Sequence, residues 1–250
     1  MATETSIRET TSATPHCWSC GAMRAAHFCT ECGKVQPPAP SDYFSFFGLH
    51  RKLNIDTAAL EREFYALSRQ LHPDLYARSG DQEQTWSLEK SSQLNDAYRT
   101  LRDPIARTQY LLQLEGVQLE EQSKAATDRA RQTGEEKKQV VPPEMLEEVF
   151  DLNMQLQELR MGKQMGERDE DVVQSLEQAS RKFQQRLDSM SEELRQYWNE
   201  WDALIDSHSG ELPPDDERAP VRQKMIDLLN RRSYVRNLVR DVNAALEESE

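Results

Sequence analysis

Long apolar runs are absent from this 250-residue chain. No stretch approaches the roughly 18 apolar residues that a membrane-spanning helix needs. The opening residues, MATETSIRETTSATP, lack the apolar core of a secretory signal. They also include Glu4 and Glu9, whereas mitochondrial presequences are rich in arginine and poor in acidic residues. These absences predict a cytoplasmic protein. A location in the mitochondrial matrix is expected only if the chain is eukaryotic, although its amino terminus is a poor presequence.

Positive charge is scarce, and the deficit is uneven along the chain. The sequence has 31 Lys and Arg against 44 Asp and Glu, a net charge of −13. Residues 1–120 hold 12 basic against 15 acidic residues, and residues 121–250 hold 19 against 29. An acidic surface repels nucleic-acid phosphates and anionic lipids. We therefore expect protein partners, and neither nucleic acid nor a membrane.

Cysteine occurs at only four positions, all near the amino terminus: Cys17, Cys20, Cys29 and Cys32. Two Cys-x-x-Cys pairs separated by eight residues supply four thiolates, which is the spacing of a tetrahedral metal site. Four sulfur ligands leave no open coordination position for catalysis. The pattern predicts one structural zinc ion per chain.

The four cysteines also have alternative interpretations. A rubredoxin-like iron site uses the same ligands, so iron remains an alternative to zinc. Disulfides are disfavoured because no export signal is present. His16 and His27 lie nearby, but four cysteines already complete a site, so these histidines are expected to be bystanders or hydrogen-bond donors to the ligands.

The remaining sequence has helical periodicity, and no stretch alternates with a period of two for more than a few residues. Asp42 and Asp56 are placed to cap two helices, and Pro73 stops the second. A third helix is predicted over 86–101, and Asp103 precedes a fourth. The fold class predicted is all-α, with one small metal-binding module.

Composition divides the chain into segments. QPPAP (36–40) cannot continue a helix, so we expect it to separate the cysteine module and the helices into two folding units. The predicted segments are a disordered terminus at 1–15, the tetracysteine module at 16–36, a helical domain at 41–116, a linker at 117–143 and a three-helix bundle at 144–250, with helices at about 144–160, 169–206 and 217–247.

The tripeptide His72-Pro73-Asp74 ends the second helix. Since the residue before a proline leaves the α region, the imidazole and carboxylate should lie at an exposed corner. Arg62 and Arg69, seven residues apart, share one face of the preceding helix. The tripeptide alone is consistent with a simple helix stop. A catalytic His/Asp pair lacks an accompanying nucleophile or phosphate loop, so no enzyme is predicted.

The surrounding sequence, which reads DYFSFFGL, ALEREFYALSRQLHPDLY and SSQLNDAYRTLRDPIARTQYLL, resembles a J-domain over about residues 42–116. It specifically resembles the HscB family, co-chaperones of iron–sulfur cluster biogenesis. The cysteine module followed by QPP and DYF resembles the eukaryotic branch, which carries an N-terminal zinc domain. Two departures are Leu75, where J-domains commonly have lysine, and the segment 116–143, which is longer than is typical.

This resemblance implies roles for the exposed corner. His72, Pro73 and Asp74 would stimulate the ATPase of a DnaK/HscA-type heat-shock chaperone. Arg62 and Arg69 would dock on an acidic face of that chaperone.

The resemblance also implies that the C-terminal bundle binds the iron–sulfur scaffold protein IscU. The aligned positions are Leu146, Phe150, Asp151, Met154 and Tyr234. Glu147 stands where an apolar residue is usual. Leu146, Phe150 and Met154 are spaced four residues apart, and they are offset around the helix from the apolar stripe that begins at Val149. This spacing predicts a second, outward apolar ridge, with a wide buried face as the alternative.

The function expected is that of an adaptor, which stimulates the chaperone and delivers the scaffold to it. Two alternatives are a general J-protein that holds unfolded clients and a tetrathiolate redox or metal-transfer protein.

Overall fold

The computed structural model describes residues 16–23, 27–117, 119, 143–165 and 169–248. The proposed disordered segment 1–15 and nearly all of the proposed linker therefore lie outside the described residues. The chain divides into two compact units, one from residues up to Arg51 together with 55–107, the other from 52–54 together with 108 onward. The described residues contain helices and, near the cysteines, two isolated antiparallel backbone pairings. The predicted all-α class is thus confirmed.

Three α-helices build the first unit: α1 (Tyr43–Phe46), α2 (Thr57–Leu71) and α3 (Asp81–Arg102). Asp42 caps α1 by accepting the N–H of Ser45. Asp56 caps α2 by accepting two amide N–H groups of its first turn. These caps satisfy donors that have no partner within the helix, as the sequence predicted.

Helix α3 begins five residues earlier than its apolar pattern predicted. Its first turn is polar and starts after Gly80, with Asp81 and Glu83 near the positive end of the helix dipole. Acidic residues stabilise the start of a helix electrostatically. Because this first turn has no apolar residues at helical spacing, the apolar pattern could not predict where α3 begins.

Helices α2 and α3 run antiparallel and enclose the core of the first unit. Phe64 stacks on Tyr98 with ring centroids 4.1 Å apart. At the other end of α2, the carbonyl of Leu71 meets α3 near Ser87. Leu71 and Leu94 are among the buried side chains between the helices.

The second unit contains most of α4 (Pro104–Leu114) and three longer helices, α5 (Leu146–Met165), α6 (Glu170–Ser207) and α7 (Asp215–Glu248). Helix α6 is continuous over its 38 residues. Helix α5 extends five residues beyond its predicted end. The predicted three-helix bundle is present.

Helices α6 and α7 form a long antiparallel pair. Glu200 binds Lys224 at 2.7 Å, and Ser180 donates to Asn243 at 2.8 Å near the other end. Trp201 is fully buried. Helix α5 is tied to α6 by Glu148, whose pKa is lowered, chiefly by its hydrogen bond from Lys182.

A buried carboxylate fixes residues 52–54 to the bundle. Asp202 on α6 accepts the backbone N–H groups of Leu53 and Asn54 at 2.7 and 2.9 Å, and the Asn54 side-chain amide at 2.8 Å. A buried carboxylate needs such donors to offset its desolvation. No sequence pattern predicts this contact, because the partners lie 148 and 149 residues apart.

Candidate functional site

The His-Pro-Asp corner has the geometry that the proline predicted. Helix α2 ends at Leu71, His72 is extended with ψ of 127°, and Pro73 starts a short 3-10 turn through Tyr76. The side chains of His72 and Asp74 are 56% and 89% exposed. The imidazole Nδ1 accepts the backbone N–H of Asp74 at 3.3 Å. In the neutral ring this hydrogen bond places the remaining proton on Nε2.

Two hydroxyl groups of α3 hold the residue that precedes this corner. The Oγ atoms of Ser87 and Ser91 both donate to the carbonyl of Leu71, each at 2.7 Å. Carbonyl groups in the last turn of a helix have no partner within it, so the two hydroxyls satisfy an otherwise unpaired acceptor. Beyond the corner, the Tyr76 hydroxyl donates to the carbonyl of Gln70 at 3.0 Å. These positioning contacts were not predictable from the sequence, since two serines on a helix have no distinctive pattern.

Arg62 and Arg69 are both exposed on α2, two helical turns apart. Neither forms an ion pair with a described residue. Two unpaired guanidinium groups on one face can dock on a partner's carboxylates without first losing an internal contact.

The four cysteines converge as predicted. All four Sγ atoms lie within 4.8 Å of one another, and none forms a disulfide. The Sγ atoms of Cys17 and Cys32 are 3.7 Å apart, and those of Cys20 and Cys29 are 3.5 Å apart. A tetrahedral zinc with Zn–S bonds of about 2.3 Å holds its sulfurs about 3.8 Å apart, so these distances fit such a site.

Each Cys-x-x-Cys pair lies on its own turn, and the two turns have the same hydrogen bond. The amide of Gly21 donates to the carbonyl of Cys17, and that of Gly33 donates to the carbonyl of Cys29. Gly21 and Gly33 have φ of 74° and 69°, a region that favours glycine over other residues. The glycine after each pair is therefore a conformational requirement of the turn.

The pKa values of Cys17 and Cys20 differ although the two thiols are neighbours. Burial raises the pKa of Cys17, but hydrogen bonds from the backbone of Cys20 and Ser19 and from the Gln36 side chain outweigh it and lower that pKa to about 6. The backbone of Ala22 favours a thiolate at Cys20, yet Cys29, burial and the other thiols raise the pKa of Cys20 to about 12. The pKa values of Cys17 and Cys20 thus shift in opposite directions, and a metal ion bound at this site would favour the thiolate form of its ligands.

The cysteine module packs into the core of the first unit, contrary to the separation expected from QPPAP. Val35 is fully buried in one cluster with Phe46, Leu67, Leu71 and Leu94. The proline-rich stretch prevents a helix, but it leaves the residue before it free to pack.

Aromatic and histidine contacts extend this interface. Trp18 meets Trp86 edge to face at 5.5 Å and donates its indole N–H to the carbonyl of Val35 at 2.8 Å. His27 connects the cysteine module to α1, because its Nε2 lies 2.8 Å from the carbonyl oxygen of Phe46. Burial lowers the pKa of His27, which favours the neutral ring.

Helix α5 carries the outward apolar ridge. Leu146, Phe150 and Met154 are 56%, 64% and 57% exposed, whereas Val149 and the rest of its stripe are buried. The alternative of a single wide buried face is therefore wrong. Asp151 is also exposed.

Tyr234, the fifth aligned position, differs from the others. It is only 8% exposed, and burial raises the pKa of its hydroxyl. It lies within the core of the bundle, so it is no exposed anchor. Alignment to a family cannot show whether a tyrosine in a helix faces solvent.

Comparison with known proteins shows a domain family that matches part of the chain. Residues 42–110 match the DnaJ domain family. Those residues form a J-domain. It includes α1 to α3 and the exposed His-Pro-Asp corner.

The curated relatives point the same way. The iron-sulfur cluster co-chaperone protein HscB of Mus musculus is 38% identical over 116 residues, 44% of this chain and 50% of the mouse protein. The human protein of the same name is 36% identical over 121 residues, 46% of this chain and 52% of its own. The chain thus spans about half the length of these relatives. The expected resemblance to HscB co-chaperones is confirmed.

The crystal structure of human co-chaperone protein HscB covers 92% of this chain and 98% of its own, with a TM-score of 0.56 at 23% identity. At that identity the likeness establishes the fold. Among the described helices, none is both long and apolar enough to cross a membrane.

Proposed function

We propose that this chain is a co-chaperone of iron–sulfur cluster assembly, which stimulates the ATPase of a DnaK/HscA-type chaperone and delivers an IscU-type scaffold to it. The observation that carries the proposal is the exposed His72-Pro73-Asp74 corner within a J-domain. In this proposal the chain acts by binding its partners, and ATP hydrolysis takes place in the chaperone.

The J-domain supplies the chaperone contact. Arg62 and Arg69 attract an acidic face of the ATPase domain, and the corner at the end of α2 then presents His72 and Asp74. The hydroxyls of Ser87 and Ser91 hold Leu71 and so limit the directions in which the corner can move. A preorganised contact loses less conformational entropy on binding.

The bundle supplies the scaffold contact. Leu146, Phe150 and Met154 form an exposed apolar ridge, and exposed apolar clusters of this kind mark protein interfaces. Asp151 lies beside them. Tyr234 is buried, so we assign it a structural role in the bundle and base the scaffold contact on the exposed residues.

The metal at Cys17, Cys20, Cys29 and Cys32 is zinc, one per chain, with a structural role. Its closed set of four sulfur ligands leaves no position for substrate. Metal analysis together with an absorption spectrum distinguishes zinc from iron, since an iron tetrathiolate is coloured.

The experiment that tests the function uses the full chain, a purified DnaK/HscA-type chaperone and a purified IscU-type scaffold. Single-turnover ATP hydrolysis should accelerate with the chain alone, and further when the scaffold is added. Equal acceleration by a denatured peptide in place of the scaffold would favour a general J-protein and contradict the specific role.

A further inference from the structure

Helix α5 has apolar side chains on two opposite faces. One face, which includes Val149 and Leu152, is buried in the bundle. The exposed apolar residues on the other face are Leu146, Phe150, Met154, Met161 and Met165. At 3.6 residues per turn, these five lie within about 100° of the helix circumference. Single exposed apolar residues are ordinary, but five on one face of one helix indicate a binding surface.

The last part of this face forms a groove. Met154, Met161 and Met165 line an open groove of about 510 Å³ together with Glu158 and Asp169. Met161 and Met165 are 50% and 71% exposed. Neither is among the positions to which the family resemblance assigned scaffold binding. Methionine is flexible and polarisable, so such a groove can adapt to an irregular apolar surface.

Negative charge follows one edge of the face. Glu147, Asp151 and Glu158 are exposed and lie within about 40° of one another around the helix. None of them forms an ion pair with a described residue. Arg160 falls on the opposite edge, and the Lys163 ammonium contacts the carbonyl of Glu248. The groove side of α5 therefore favours a partner that carries positive charge.

We propose that the methionine groove extends the scaffold-binding ridge to the end of α5. It receives a segment of the scaffold in which apolar side chains are flanked by lysine or arginine. The inference rests on the proposed function, since the occupant is the same partner that Leu146 and Phe150 bind. The extended face is about 30 Å long at 1.5 Å per residue, a length suited to an interface of standard size.

The test measures calorimetric binding of the full chain to purified IscU-type scaffold. The double variant Met161→Gln/Met165→Gln keeps side-chain length and helix propensity but removes the apolar contact. We expect its dissociation constant to rise at least about tenfold, with helicity and thermal midpoint unchanged because both residues are exposed. Met23→Gln is the matched control, since Met23 is 74% exposed within the cysteine module, and it should bind like the wild type.

A second pair of variants separates the inference from the function on which it rests. If Leu146→Ala/Phe150→Ala loses scaffold binding while the methionine variant keeps it, the groove proposal is wrong and the proposed function stands. If both variants bind like the wild type, the scaffold contact itself is wrong. If the methionine variant instead alters the oligomeric state of the chain alone, the occupant is a second copy and the proposal is overturned.

Salt dependence tests the charge of the occupant. Scaffold affinity of the wild type should fall as ionic strength rises, because screening weakens attraction between exposed charges. The variant Glu147→Gln/Asp151→Gln/Glu158→Gln should bind more weakly at low salt and show a flatter dependence. An unchanged salt dependence in this variant would contradict a basic occupant.

Discussion

At the scale of single residues, the His-Pro-Asp corner is exposed, so its side chains contribute little to folding. Replacing His72 with Gln should leave the thermal midpoint nearly unchanged, since exposed substitutions usually alter the free energy of unfolding by less than about 0.5 kcal/mol. Stimulation of the chaperone's single-turnover ATP hydrolysis should fall close to the unstimulated rate. His50→Gln, at another exposed histidine of the same unit, is the control. Full stimulation by the His72 variant would contradict the J-domain function.

Ser87 and Ser91 provide a prediction about positioning. In the variant Ser87→Ala/Ser91→Ala, the buried carbonyl of Leu71 loses both donors, which should lower the free energy of unfolding by about 1–3 kcal/mol. The next residue is His72, so maximal stimulation should fall, while affinity for the chaperone is retained through Arg62 and Arg69. Titrating the chaperone below the unfolding temperature separates the two quantities.

Ser91→Ala alone is the milder comparison, because the Ser87 hydroxyl still satisfies the carbonyl. A double variant that loses stability and keeps its full maximal stimulation would show that the serines stabilise the fold without positioning the corner.

At the scale of structural elements, the cysteine module packs against the core of the first unit. Val35 packs in that core and Trp18 contacts Trp86, and both residues lie within three positions of a cysteine, so we expect a bound metal to hold them in place. Replacing the exposed ligands Cys20 and Cys32 with Ser should release the metal. We then expect a lower thermal midpoint and a changed tryptophan fluorescence spectrum, since Trp18 and Trp86 are in contact. A metal-free variant with wild-type melting behaviour would contradict this coupling.

The elements themselves were largely predictable, because their signals are local. Asp42 and Asp56 cap their helices, Pro73 ends α2, and the apolar stripe of α5 identified its buried face. The contacts between elements were not predictable. Val35 is buried in the core of the first unit, although nothing in the sequence around it predicts that burial. Asp202 accepts hydrogen bonds from the amides of Leu53 and Asn54, which are distant in sequence. Local patterns encode which face is apolar, but not which surface covers it.

The same limit applied to the candidate sites. The cysteine spacing and the tripeptide specify their geometry within a few residues, so the structure placed both as predicted. The proposed scaffold surface depends on which apolar residues the bundle leaves exposed. The helical spacing separated Phe150 from the core stripe correctly, but it could not show that Tyr234 is buried, because α7 has apolar residues on several faces.

At the scale of the whole molecule, the proposed scaffold surface and the proposed chaperone contact lie on different segments of the chain, so they should respond to different substitutions. Replacing Leu146 and Phe150 with Ala removes two exposed side chains, and anchors of this kind contribute roughly 1–3 kcal/mol each. Scaffold binding should weaken about a hundredfold, because each 1.4 kcal/mol corresponds to a factor of ten. The extra ATPase stimulation that the scaffold adds should disappear, while stimulation by the chain alone persists.

Tyr234→Ala is the contrasting variant. It removes a buried aromatic side chain and should lower the free energy of unfolding by about 3–5 kcal/mol, with any loss of scaffold binding following from that destabilisation. Circular dichroism melts of both variants separate a lost contact from a damaged bundle. If the Leu146/Phe150 variant melts like the Tyr234 variant, its residues belong to the core and the scaffold surface must lie elsewhere. If it melts like the wild type and still binds the scaffold, α5 presents its ridge to another partner.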